Sequence, residues 1–179
     1  MSTPVNNSPI SLVSAVVNRL TAALPELSVE FYPDNPAQYQ LNHPIGAVLV
    51  RYPGSKYSKS LDTELPVLAR TLSLEISLVC RSLNGEGGIY DWLEAVRLSL
   101  TGYVVPAFEP LTPVSDSFVA EDSGEWHWFF DFVTNTTALP DYPDENLTVL
   151  KHISLHDTLY RTEIKRLANG NTLVTTEKD

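Results

Sequence analysis

The sequence predicts an α+β fold, a mostly antiparallel sheet with two main helices packed on one face, followed by a C-terminal β-hairpin arm. Three observations lead there. Apolar residues recur at helical spacing in two separate segments, 12–24 and 89–100. Between and after them, residues 72–80 and 126–132 alternate with the period of two that marks a strand with distinct faces. Near the C-terminus, Asn169-Gly170 lies between two β-rich runs, a strong short-range hairpin signal.

Ser8-Pro9 supplies an N-cap and a first helical residue, and Leu12, Val13, Val16, Val17, Leu20 and Leu24 form one apolar face until Pro25 stops the pattern. Leu27, Val29 and Phe31 alternate as a short strand, which Pro33 and Pro36 end. From Ile45 to Tyr52 the chain is almost continuously apolar, as suits a central strand. Residues 53–69 (PGSKYSKSLDTELPVLA) are polar and proline-bounded, so a long exposed loop is expected, and loops beyond about 12 residues are commonly functional. Leu72, Leu74, Ile76, Leu78 and Cys80 then predict a strand with one side covered by helices. Gly85 to Gly88 predicts a turn, and Ile89, Trp92, Leu93, Val96 and Leu100 a second helix that Gly102 ends.

Pro106, Pro110 and Pro113 argue against regular structure over their stretch. Ser117-Phe118-Val119 and the aromatic run from Trp126 to Val133 read as a hairpin turning at residues 121–124, with Trp126, Trp128, Phe130 and Phe132 assigned to the core. Past Pro140 the character changes. Leu147, Val149, Lys151, Ile153 and Leu155 suggest a strand, and Tyr160 to Leu167 with Thr172 to Thr175 suggest a hairpin. The expected organisation is an α+β domain over residues 1–140 and a β-rich arm over 141–179.

A chain of 179 residues with 43% hydrophobic content can bury a core without disulfide or metal staples. No apolar run approaches the roughly 20 residues of a membrane span, and no membrane partner is expected. The polar N-terminus lacks the pattern of a secretory signal, so folding in the cytoplasm is expected. The formal net charge of −10 argues against a nucleic-acid groove binder. Residues 98–150 hold nine acids and no Lys or Arg, so the acidity is concentrated there.

Residues with chemical potential read blandly. His152 and His156 have the spacing of a helical metal pair, but their alternating surroundings predict a strand. His127 and Asp131 share a strand face, without a nucleophile placed to work with them; only a convergent pocket containing both would suggest a small hydrolase or ligand-binding enzyme. The glycines at 85–88 meet neither the phosphate-loop nor the dinucleotide fingerprint. Cys80 reads as a small buried hydrophobe. No catalytic residue, cofactor or metal site is assigned, and enzyme activity is not expected.

The segments SPISLVSAVVNRLTAAL, HPIGAVLVRYPGSKYSK, ARTLSLEISLVCRS, GGIYDWLEAVRLSLTGY and EWHWFFDFVTNTTALP, in this order, span about residues 8–140. This series resembles the tail terminator proteins of long-tailed bacteriophages, with the lambda-type fold, and in particular the version in Mu-like contractile-tailed phages. The resemblance implies a structural virion protein whose homohexameric ring caps the head-proximal end of the tail tube. Such a ring ends tube and sheath polymerisation and joins the tail to the neck. Implied partners are further copies of the chain, the tail tube protein, the tail sheath protein and a neck or connector protein, with DNA passing through the lumen without specific binding. Implied location is the tail and neck of the virion, after assembly in the host cytoplasm.

Carried over onto this sequence, Arg51, Tyr52, Lys56, Tyr57 and Lys59 fall in the family's long strand-to-strand loop and become candidate assembly contacts. Glu121, Asp122 and Glu125 become candidate lumen-facing acids that repel DNA. Lys151, Ile153, Leu155, Tyr160, Arg161 and Ile164 lie in the arm, beyond the lambda-type pattern, and become candidate contacts to sheath or to a neighbouring subunit. The alternative is another neck component, a head–tail connector or tail-completion protein, or the cap of a phage-derived contractile injection system.

Overall fold

A computed structural model describes residues 7–60, 67–138, 152–156, 160–166 and 172–178, with side chains over 7–58 and 67–138. The first helix, α1 (Pro9–Ala23), starts where the sequence places it. Ser8 caps it by accepting a hydrogen bond from Ser11 N at 3.3 Å, and Pro9 occupies the first turn, where a missing N–H costs nothing. Then follow β1 (Ser28–Phe31), β2 (Gly46–Ser60), β3 (Leu68–Cys80), α2 (Ile89–Leu100), β4 (Thr112–Asp122) and β5 (Glu125–Ala138). They form one five-stranded sheet in the order β1-β2-β3-β5-β4. All its pairs are antiparallel except β1 with β2, so the fold is α+β with a mixed, mostly antiparallel sheet.

Both helices lie against one face. Leu12, Val16 and Leu20 of α1 and Ile89, Val96 and Leu100 of α2 are fully buried with Leu72, Leu74, Ile76, Leu78 and Cys80 of β3 and Phe132 of β5. Each such side chain contributes about 1.5–3 kcal/mol by leaving water. Phe130 and Phe132 are core as expected, whereas Trp126 and Trp128 are only partly buried at its margin. Burial pushes the Cys80 thiol up to about 12, which suits a packing role.

The opposite face is not open along its whole length. Residues 32–43, which include a single 3-10 turn at Pro36–Gln38, bring Tyr32, Tyr39 and Leu41 against Ala47, Leu49 and Val79 as a second, smaller core. β3 is consequently covered on both faces at that end: Glu75, Ser77 and Val79 are buried as well as their alternating neighbours. The expected half-buried strand is thus more enclosed than its alternation implies.

Two expectations are corrected. The loop expected over residues 53–69 is instead strand through Ser60 and again from Leu68, a long β2–β3 ribbon; residues 61–66 lie outside the described residues. Pro53 fits because it falls in a register shift between Arg51 and Gly54, where no ladder N–H is required. The polarity of the segment reflects a ribbon running past the helix-covered core, where neither face needs apolar residues. Similarly, Pro113 does not prevent structure: it sits in β4, an edge strand, beside another register shift.

The chain divides into two compact units, Met1–Leu139 and Pro140–Asp179. In the second, β6 (His152–His156), β7 (Tyr160–Arg166) and β8 (Thr172–Lys178) form a three-stranded antiparallel sheet, one strand more than a hairpin. Ile153, Ile164 and Val174 stand opposite one another in register. Lys151, the expected strand residues 147 and 149, and the Asn169-Gly170 turn lie outside the described residues.

Gly46 lets β2 approach the central strand β3 closely. A Cβ there would stand 2.7 Å from Val79 O and 2.8 Å from Cys80 Sγ. Gly46→Ala is expected to cost roughly 1–3 kcal/mol by pushing β2 off β3, read as a lower urea midpoint with an unchanged slope.

Candidate assembly surface

Each candidate residue can be located from its strand. Arg51 and Glu75 are register partners on β2 and β3, on the face opposite the helices. The Arg51 guanidinium donates through Nε and Nη2 to the two Glu75 carboxylate oxygens at 2.6 and 2.7 Å, and lies 5.0 Å from the Tyr32 ring centroid. This hydrogen bonding to Glu75 raises the Arg51 pKa above its ordinary value. The fork is fixed in place by a buried carboxylate, so Arg51 is chiefly a structural residue of the back face.

Tyr52 turns to the helix side and packs against the main core. Its hydroxyl bonds to Ser55 Oγ and accepts from Arg70 Nη2 at 3.2 Å. Burial pushes the Tyr52 phenol up, but the bonds to Ser55 and Arg70 outweigh it and lower its pKa. Arg70 also donates to Ser55 Oγ at 2.9 Å and stacks 5.6 Å from the Tyr57 ring centroid. Tyr57 and Lys56 are exposed, farther out along the ribbon, and Lys59 lies on β2 with its side chain outside the described ones. The ribbon therefore combines a braced base with an exposed stretch at Lys56 and Tyr57. Only Ser55 and Tyr57 keep a period of two on one face beyond the register shift, a strand signal too short to read in a segment without aliphatic residues.

At the other end of the sheet, Glu121, Asp122 and Glu125 gather at the β4–β5 hairpin. Ser123 (φ 54°) and Gly124 (φ 82°) both take positive φ, the requirement of the tight two-residue turn that matches strand twist. Glu121 accepts from Gly124 N at 2.9 Å, and Glu125 pairs with Arg81 at 3.4 Å. Beside the tip, Phe118, Trp126, Trp128 and Tyr90 form a chain of ring contacts with centroids 5.7 to 6.0 Å apart, and Trp128 Nε1 donates to Asp116 at 3.0 Å. This half-exposed aromatic cluster escapes sequence reading because Tyr90 comes from α2, distant in sequence.

Possible catalytic pairings are not assembled. His127 and Asp131 share a face, but four residues along a strand separate them by about 13 Å. His127 lines a small groove of about 120 Å³ with Tyr32, Tyr39 and Phe129, whereas Asp131 accepts from Ser115 Oγ at 2.9 Å. His152 and His156 are likewise about 13 Å apart along β6. Among the described residues no group of three or more His, Cys, Asp or Glu side chains is placed to hold a metal ion. Two larger clefts, of about 500 and 610 Å³, are open and line the 28–43 segment and the start of α2. No helix of the described residues is long and apolar enough to cross a membrane.

The arm candidates can be placed by register alone. Ile153 and Leu155 stand opposite Ile164 and Thr162, and Tyr160 and Arg161 stand opposite Lys178 and Glu177. By alternation Ile153, Leu155, Tyr160 and Ile164 fall on one face of the small sheet and Arg161 on the other.

Arg51→Ala removes the partner of a buried carboxylate, and a loss of roughly 1–3 kcal/mol is expected, held below the fully buried case because Arg51 is partly solvated. Replacing both Arg51 and Glu75 by Leu is expected to recover part of that loss. Urea denaturation of the two variants checks both, and equal losses would show that pairing does not matter.

No curated protein matches the chain. The family model described as Gp37 protein matches residues 16–157, from α1 through the five-stranded sheet and into β6. The match takes in most of the chain, supports a phage-related structural protein associated with the virion, and shows that the chain belongs to the Gp37 protein family.

Proposed function

We propose that the chain is a tail terminator, a ring-forming protein that caps the head-proximal end of a phage tail tube, ends tube and sheath growth, and presents a surface to the neck. The observation that carries this reading is the Gp37 family match, which supplies the phage context for a sheet and two helices in the element order of the resemblance. Its supporting feature is the β2–β3 ribbon, which carries the exposed Lys56 and Tyr57 beyond the packed core and suits contact with tube or neighbour. The activity is mechanical. It requires complementary surfaces and no turnover or cofactor.

In this reading the acidic hairpin tip stands at the lumen, where like charge keeps passing DNA from adhering. The surrounding segment, residues 98–150, carries nine acids and no base, which favours such a role. The second unit, with Ile153, Leu155, Tyr160 and Ile164 on one sheet face, contacts sheath or a neighbouring subunit.

Negative-stain imaging of the purified protein mixed with growing tail tubes is the test. Rings at one tube end, with growth arrested, are expected. Unchecked tube growth together with binding to head-side components alone would replace this reading with a connector. A chain ending at residue 146 is expected to cap tubes but to retain less sheath, measured as sheath-to-tube band ratio in purified tails; unchanged retention would assign the second unit elsewhere.

A further inference from the structure

We propose that copies of this chain join head to tail by continuing one another's sheet, the free edge of β2 pairing with β4 of the next copy. This deepens the ring reading above and rests on it for the biological role, but its evidence is separate.

The sheet has two open edges on opposite sides. β1 pairs with β2 only at Ala47, Val48, Leu49 and Val50, and among the described residues no strand pairs with the outer edge of β2 over residues 51–60. On the far side β4 is the terminal strand, 11 residues long and exposed at every position but Pro113. The two free edges are matched in length. They are opposite in net charge: beyond the Glu75-paired Arg51, residues 51–60 hold Lys56 and Lys59 and no acid, whereas β4 holds Asp116, Glu121 and Asp122 and no base. The attraction is between the edges as a whole, because Lys56 lies by register on the face opposite the helices and Asp116 and Glu121 on the helix face. Apolar groups unusual for an open edge accompany them, with Val114 60%, Phe118 50% and Val119 44% exposed on β4 and Tyr57 56% exposed on β2.

Charge selects the occupant. Setting β4 against β4, or β2 against β2, would oppose like charges, so an isologous dimer is disfavoured and the heterologous contact of a second copy is favoured. Direction agrees as well. β2 and β4 run oppositely within the sheet, so repeating the sheet sideways places them antiparallel, the better-bonded arrangement. The register shifts of β4 at Pro113/Ser115 and Phe118/Ala120 give this edge a shape that a flat, unrelated strand does not match.

The registers also set the inclination. Traced across β3 and β5, the middle of the free β2 edge lies about 18 Å along the strands from the middle of β4, and four strand spacings, about 19 Å, separate one β4 from the next. Continuation therefore inclines the strands by roughly 40–45° to the ring axis, in the range at which sheets close into barrels. Glu121 then serves the contact, and the lumen-facing role falls to Asp122 and Glu125.

Two charge-reversed full-length chains test the inference, Lys56→Glu/Lys59→Glu on β2 and Asp116→Lys/Glu121→Lys on β4, read by native mass spectrometry with circular dichroism to check folding. The unaltered chain is expected to form a closed oligomer. Each variant alone is expected to shift to monomer, and an equimolar mixture is expected to reassemble into rings with an even number of subunits, because each variant then meets only its complement. A chain carrying all four reversals is expected to assemble like the parent and guards against misfolding of either pair. Parent-like assembly by the separate variants, failure of the mixture, or a monomeric parent would overturn the proposal. Tube capping that ignores these reversals would leave termination standing without this contact; reversal-sensitive rings that cap nothing would leave the contact standing without termination.

Discussion

The structure depends on the double pairing of β3. From Leu68 to Cys80 each residue has a register partner on β5, and most have one on β2, so this strand holds the two long ribbons together. Its apolar side receives both helices, and at one end its other side receives Tyr39 and Leu41 through the second core. A strand satisfied on both edges and buried on both faces has little freedom to slip, because a shift by one residue would exchange Leu74 and Ile76 for Glu75 and Ser77 in the main core. Everything exposed on the sheet is positioned relative to that anchor.

The anchoring has an asymmetric consequence. The helices cover the middle of the sheet and not its full length or width, so the outer part of β2 and nearly all of β4 remain in solvent. Burial explains why the core is apolar but not why the uncovered edges differ in charge. A monomer has no need for a basic edge on one side and an acidic edge on the other. That separation, with aromatic and aliphatic groups held at the acidic edge, fits a chain whose sheet is completed by its own kind.

The candidate surface was legible to different depths. Arg51 was singled out in the sequence for a loop contact, yet its fork onto Glu75 makes it a brace. Strand alternation could have paired them only if the 53–60 segment had been read as strand, and Pro53 and Gly54 concealed that. Glu121, Asp122 and Glu125 were legible as a turn because Ser123-Gly124 carries the positive-φ chemistry of a tight hairpin. The Phe118, Trp126, Trp128 and Tyr90 contacts join three elements, and no local pattern announces them.

What the sequence by itself determined is local and periodic: the Ser8-Pro9 cap, the apolar face of each helix, the alternation of β3 and β5, and the acidic stretch that follows α2. These follow from side-chain spacing and backbone preference, which act within a few residues. Only the tertiary structure decided that residues 53–60 are strand, that Pro113 is tolerated, and that residues 32–43 fold back over the sheet. The physical reason is shared. Cross-strand hydrogen bonds and the covering of a face are non-local, and a polar or proline-bearing segment becomes a strand when a satisfied partner such as β3 or β5 lies beside it.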